Sequence, residues 1–285
     1  MIKLNGKLIE FKKFPNGETK LDGEQVLDSL AYFGTANEIL FKYENDADLI
    51  QLMLVKRFLD EADDKKVVLR ISYMPYSRMD RRMGTDAFTL KYVCDFINSL
   101  DFSAVYVHES HSDVTPALLN RCVTIEDGEH LFELVSKEIE FDKEKDYVLF
   151  PDAGAQKRYS KLGVTNQLVG LKNRNVETGR IESLQIIGDI KPGRKVVILD
   201  DLSSFGGTFL MSAKALKELD AGDIFLAVTH CEDSIFKGDI PDSDLIKKVY
   251  TSDSIINEST HEKVEIIYPM WSGKEEEQGQ VEVVA

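Results

Sequence analysis

Residues 195–208 constrain this chain more than any other stretch. Val196, Val197, Ile198 and Leu199 form a short unbroken apolar run, the pattern of a strand buried on both faces. Asp200 and Asp201 follow at once, and then a small polar loop with Gly206 and Gly207. From Thr208 a helical pattern begins, with Phe209, Ala213, Leu216 and Leu219 along one face. Gly222 stands where a helix C-cap glycine is expected. The reading is strand, acidic turn, glycine loop, helix, which is the grammar of an α/β fold with a mainly parallel sheet.

Such a loop has a chemical use. Where a loop enters a helix, backbone N–H groups converge on one spot, and the helix dipole favours an anion there. The hydroxyls of Ser203, Ser204 and Thr208 add donors. Asp200 and Asp201 repel a phosphate, so sugar hydroxyls or a metal ion suit them better. A ligand with a phosphate at one end and a ribose at the other fits both halves. The pattern alone is equally that of an ordinary strand-to-helix turn capped by Ser or Thr. It is not a Walker A loop, because no Gly-Lys-Ser/Thr follows the glycines.

The rest of the chain narrows the classes. Its 285 residues suit one large or two medium α/β domains, and 43% apolar residues point to a globular fold. The net charge, 35 − 50 = −15, disfavours nucleic acid or an anionic membrane as partner. The three cysteines, Cys94, Cys122 and Cys231, form no metal motif and suit a reducing compartment. No apolar run approaches the roughly 18 residues of a membrane helix. Residues 1–10 lack a signal-peptide core, so a cytoplasmic protein is expected.

Several further segments are candidates. Ile2, Leu4, Leu8 and Phe11 read as edge-strand material, and Phe14-Pro15-Asn16-Gly17-Glu18 reads as a turn. Residues 48–59 and 90–100 carry helical stripes. The strand at 67–71 opens into a run holding Arg78, Asp80, Arg81 and Arg82, either a solvated basic loop or a guanidinium clamp for polyphosphate. The strand at 104–107 delivers His108, with His111 and Asp113 close behind. Tyr147 to Phe150 feed Pro151-Asp152-Ala153-Gly154 and then Arg158. Residues 171–180 are polar and basic, with Lys172 and Arg174, and read as a surface hairpin or a mobile loop. The strand at 224–229 ends at His230, a Thr-Ser-Asp-Ser run follows at 251–254, and a tail expected to be partly disordered begins at Lys274.

Taken together these segments resemble, in order and over nearly the whole chain, the ribose-phosphate diphosphokinase family, which makes phosphoribosyl diphosphate. Asp-Asp-x-x-x-x-Gly-Gly-Thr at 200–208 is similar to the loop of type I phosphoribosyltransferases. The resemblance implies two tandem phosphoribosyltransferase-like domains, residues 1–138 on the ATP side and 139–285 on the ribose 5-phosphate side, with the last residues returning to the first domain or disordered. It implies transfer of the diphosphoryl group of ATP to the C1 hydroxyl of ribose 5-phosphate, with Mg²⁺ as cofactor. It assigns Phe14, Asn16, Glu18, Arg78, Asp80 and His108 to ATP. Asp200 and Asp201 go to the ribose hydroxyls, and Ser203, Ser204, Phe205, Gly206, Gly207 and Thr208 to the 5-phosphate. His108 and Asp152 fall at the metal, and Lys172, Arg174 and His108 at the phosphoryl transfer. A Phe14 loop that serves a neighbour's site implies a homo-oligomer. This chain departs from the family pattern at Asn16 (commonly Asp), Met79 (Gln), Ser204 (Asp) and Phe205 (Thr). A phosphoribosyltransferase that consumes the diphosphate, a catalytically silent regulatory homologue and a plain nucleotide sensor are the rival readings.

Overall fold

The apolar runs of the sequence become the inner strands of two largely parallel sheets, each flanked by helices. The computed structural model describes residues 1–31, 34–174 and 181–272, with the side chains of residues 172–174 and 181–183 outside the description. The chain divides into two units, Met1–Glu126 together with the chain from Met270, and Asp127–Pro269.

In the first unit the order is β1 (Ile2–Leu4), β2 (Lys7–Ile9), β3 (Phe11–Lys13), β4 (Thr19–Leu21), α1 (Gly23–Asp28), β5 (Ala36–Phe41), α2 (Ala47–Ala62), β6 (Lys66–Ile71), α3 (Thr89–Ser99), β7 (Ala104–His108), α4 (Val114–Leu118) and β8 (Cys122–Ile125). The sheet runs β2-β1-β5-β6-β7-β8, parallel from β5 to β8. The expected helical stripes are real: α2 buries Leu52, Val55 and Leu59, and α3 buries Leu90, Val93 and Ile97. The first strand differs from its reading. Ile2 and Leu4 are fully buried because β2 pairs outside β1 and takes the edge, leaving Leu8 half exposed. Strands β3 and β4 form a separate two-stranded hairpin.

The second unit runs α5 (Asp127–Glu138), β9 (Tyr147–Phe150), α6 (Ala153–Arg158), β10 (Gln167–Arg174), β11 (Ile181–Ile187), β12 (Val196–Ser203), α7 (Gly207–Glu218), β13 (Ile224–Cys231), a 3₁₀ turn at Asp233–Lys237, β14 (Lys248–Ser252) and β15 (Val264–Tyr268). Its sheet order is β11-β10-β9-β12-β13-β14-β15, with β11 antiparallel to β10 and the other pairs parallel. The stretches 147–150 and 196–199 are buried throughout, as a doubly covered strand requires.

Two boundaries are corrected. A division at 138/139 would cut α5 from the core it completes: Leu131, Phe132 and Val135 pack with Val148, Phe150, Val197, Leu199 and Phe225. The boundary therefore falls before α5. Trp271 falls in the first unit, where its carbonyl accepts from Lys3 Nζ and its ring faces that ammonium at 4.7 Å. The end of α7 is also not where Gly222 suggests. Asp220 takes the left-handed position (φ 59°), and Ala221 N–H reaches back to the Leu216 carbonyl at 3.1 Å. That is a Schellman closure with aspartate in the usual glycine place. The tail from Lys274 lies outside the described residues.

Candidate active site

Strand β12 outruns its neighbour β9. The two pair as far as Ile198 and Leu149, while β12 pairs with β13 out to Ser203 and Cys231. Asp200 and Asp201 therefore lie past the end of β9, at the carboxyl edge where open parallel sheets bind ligands. Beyond β9 the chain turns at Asp152, whose carboxylate caps α6 by accepting the Ala155 N–H at 3.0 Å. This six-residue helix delivers Arg158, whose guanidinium stands 2.8 Å from Asp201 and 3.9 Å from Asp200. The sequence reading gave Arg158 no role, although it stands at the end of the quoted motif. Its place in the fold supplies one, because it pins Asp201.

The acid pair is electrostatically loaded. Burial pushes the Asp200 carboxyl well above the usual carboxylate range, and the charges of Asp201 and then Asp152 add to the rise. A group of hydroxyl donors or a cation would relieve that arrangement.

The glycine loop follows. Gly206 has φ 82°, and a Cβ there would meet Ile240 Cδ1 at 2.2 Å, so both its backbone and its surroundings require glycine. In front of Gly207, the first residue of α7, a Cβ would meet nothing within 4 Å. The head of α7 is therefore open beside Gly207, and the amides of a helix start suit an anion. The side chains behave differently from their sequence reading. Ser203, fully buried, donates to the Ser204 carbonyl at 3.3 Å. Ser204 donates to the Glu232 carboxylate at 2.7 Å and so directs its hydrogen away from the loop mouth. Phe205 is 56% exposed.

Two other segments are brought together in this unit. His230 Nδ1 lies 2.7 Å from Ser254 Oγ, and Ser252 donates to the Thr229 carbonyl at 2.5 Å, all of them buried. Lys172 and Arg174 fall on β10, and their side chains lie outside the described residues, as does the loop 175–180.

The first unit presents its candidates separately. Phe14 stands 51% exposed at the tip of the β3–β4 hairpin. The turn closes by Phe14 N–H to the Glu18 carbonyl (2.9 Å), and Asn16 Oδ1 accepts from Glu18 N–H (3.2 Å). Asn16 thus shapes the turn, which its family counterpart, aspartate, does equally well. After β6, Tyr76 adopts φ 62°, held by a hydrogen bond to Asp46, which also accepts from Tyr43 at 2.6 Å. Those two bonds hold the Asp46 carboxyl below its usual range. They fix the start of the arginine run, while Arg78 and Met79 are exposed and Asp80 pairs with Arg81 at 3.5 Å.

His108 ends β7 and is 6% exposed. Glu109, at φ 40°, turns the chain off the strand with its N–H on the Ile125 carbonyl, and His111 follows, partly exposed. Lys42, fully buried just past β5 on the same edge, also escaped the sequence reading.

No family model matches the chain. It is 30% identical over 239 residues to a ribose-phosphate pyrophosphokinase of Pyrococcus abyssi, covering 80% of this chain and 79% of that one. It is 27% identical over 247 residues to a ribose-phosphate pyrophosphokinase of Mycoplasma pneumoniae, covering 84% and 72%. Among solved structures, phosphoribosylpyrophosphate synthetase from Mycobacterium smegmatis superposes with a TM-score of 0.70 over 91% of this chain and 85% of that one, at 17% identity, a likeness of fold. Among the described residues no helix is long and apolar enough to cross a membrane.

Proposed function

Because this chain belongs to the ribose-phosphate pyrophosphokinase family, we propose that it passes the diphosphoryl group of ATP to the C1 hydroxyl of ribose 5-phosphate, giving AMP and phosphoribosyl diphosphate. It is a transferase. The observation that carries the substrate assignment is the carboxyl edge of β12: paired acids pinned by Arg158, then a glycine loop leading into the head of α7, open beside Gly207. A sugar phosphate satisfies both ends at once. The amides around Gly207 and Thr208 take the 5-phosphate, and Asp200 and Asp201 take the ribose 2- and 3-hydroxyls. Those hydroxyls would add donors to the crowded acid pair.

The sugar C1 hydroxyl then attacks the β-phosphorus, the bond to the α-phosphate breaks, and AMP leaves. The protein's part is positioning and charge neutralisation. Arg78 holds the polyphosphate of ATP, with Asp80 beside it, while Phe14 and Glu18 meet the adenine. As the family resemblance implies, the Phe14 hairpin serves a neighbouring copy, which makes the active form an oligomer. Lys172 and Arg174 neutralise the developing phosphoryl charge.

Among the described residues no three His, Cys, Asp or Glu side chains are grouped to hold a metal by themselves. Mg²⁺ keeps several waters and takes one or two carboxylates beside substrate phosphates, and the Asp152 carboxylate past the end of β9 is a donor of that kind. Asp152 would be the residue to hold such an ion in the second unit, and His108, through water, the residue to hold one in the first. When bound, Mg²⁺ supplies charge neutralisation between the phosphates. Hydrolysis of ATP without ribose 5-phosphate, or release of phosphate rather than AMP, would overturn the reading. Phosphorus NMR of the protein with ATP, Mg²⁺ and ribose 5-phosphate tests it, the expected result being AMP and phosphoribosyl diphosphate signals only when all three are present.

A further inference from the structure

The sugar-phosphate loop does not stand alone. The chain leaving β13 lies along it from Ser203 to Gly206. Glu232 N–H donates to the Ser203 carbonyl at 2.9 Å. The Glu232 carboxylate oxygen Oε2 takes hydroxyl hydrogens from Ser204 at 2.7 Å and from Ser234 at 3.0 Å, and the two serine oxygens are 3.0 Å apart. Further along, a Cβ on Gly238 would stand 2.0 Å from the Phe205 carbonyl oxygen, and Ile240 closes on Gly206. Every residue of the loop from Ser203 to Gly206 thus has a partner between Glu232 and Ile240.

A serine hydroxyl has one hydrogen to give. A carboxylate acceptor 2.7 Å away binds it more strongly than a neutral one, so the Ser204 hydrogen is committed. Toward a phosphate Ser204 would present only lone pairs, and the Glu232 charge behind it opposes a second anion. Ser204 and Glu232 make sense as a strut, and the phosphate is left to the amides the strut aims. We infer that Glu232 is a positioning residue for ribose 5-phosphate, holding the loop through Ser204 and Ser234 so that the amides ahead of α7 converge on the phosphate. The inference rests on the assignment of this loop to ribose 5-phosphate and deepens it: Ser204 acts through Glu232 and not on the ligand.

The test is calorimetric titration of ribose 5-phosphate, with steady-state kinetics, on the full chain and on Glu232→Ala, Glu232→Gln, Ser204→Ala and the double variant Ser204→Ala/Glu232→Ala. Loss of the charge-assisted hydrogen bonds from Ser204 and Ser234 predicts a roughly tenfold rise in Kd and KM for ribose 5-phosphate in Glu232→Ala, with the KM for ATP unchanged. Glu232→Gln, which keeps an acceptor, falls between wild type and Glu232→Ala. The double variant is no worse than Glu232→Ala, because both remove the same strut. Multiplying effects in the double variant, an unchanged Kd in Glu232→Ala, or an equal rise in the KM for ATP would each overturn the inference. If Glu232→Ala does not fold, Ser234→Ala serves: about a threefold rise in Kd supports the strut, and no change overturns it. A wild-type chain that binds no ribose 5-phosphate fells the loop assignment itself, a result distinct from any difference among the variants.

Discussion

The two sheets end in opposite ways. In the second unit the carboxyl edge is built before any ligand arrives. Arg158 pins Asp201, Asp152 caps α6, Glu232 ties Ser204, and Gly206 is hemmed in by Ile240. In the first unit the tyrosines of the Asp46 cluster fix the root of the arginine run, yet the run itself is exposed. Arg81 is 78% exposed, and Phe14 and Met83 are more than half exposed. The comparison teaches where binding free energy is available. A preformed pocket loses little freedom on binding, whereas exposed side chains must be ordered by the ligand or a neighbouring copy, which costs about 0.5–1.5 kcal/mol each. On the proposed assignment, the sugar phosphate takes the organised site and the nucleotide the one completed on binding.

The largest break in that comparison comes from Asp201→Asn. It removes the charge that holds Arg158 and, on the proposed assignment, one grip on the sugar. A loss of roughly 100-fold or more in kcat/KM for ribose 5-phosphate is expected. Steady-state kinetics with each substrate varied in turn would show it, and a loss confined to ATP would reverse the assignment of the two edges.

Gly206→Ala comes next. It puts a Cβ at positive φ into Ile240, so strain and overpacking add to about 2–4 kcal/mol of destabilisation. Urea unfolding measures it, and a cost under about 0.5 kcal/mol would mean the loop is not held as described. Gly17→Ala at the hairpin tip (φ 90°) meets no atom within 4 Å and should cost only the backbone strain, about 1–2 kcal/mol.

Asp200→Asn sharpens the comparison through stability. The folded Asp200 binds its proton more tightly than the unfolded chain does, so wild-type stability falls as pH rises from the unfolded carboxylate range toward the raised folded one. At neutral pH the asparagine variant escapes that loss and melts higher, by a few degrees, while ribose 5-phosphate binding is lost. The gain should vanish near pH 3, below both values. An unchanged melting temperature at neutral pH would mean that the acid pair is not crowded. The smallest effect is expected at the exposed edge: Phe14→Ala should raise the KM for ATP by about threefold to tenfold and leave that for ribose 5-phosphate alone.

Much of the second unit could be read from the sequence because its inner strands are buried on both faces and so are written as unbroken apolar runs at 147–150 and 196–199. The acid pair and glycine loop adjoin such a run and were legible with it. What escaped is nonlocal. Nothing near Ser204 announces Glu232, which lies 28 residues on and meets it only because β12 and β13 are neighbours. Arg158 reads as a helix-end charge until α6 folds back over the acids. Asp220 hid the end of α7, since aspartate tolerates the left-handed position that Gly222 was expected to supply. The boundary before α5 was invisible for the same reason: a helix stripe shows that a face is apolar, not which core it covers.

The measurement that bears most directly on the account is a crystal structure of the chain with ribose 5-phosphate. The expected result is the phosphate within hydrogen-bond reach of the amides at Gly207 and Thr208, the ribose hydroxyls on Asp200 and Asp201, and Ser204 still bonded to Glu232. A sugar phosphate bound elsewhere while that space stays empty, or the two acids turned away from the sugar, would contradict it.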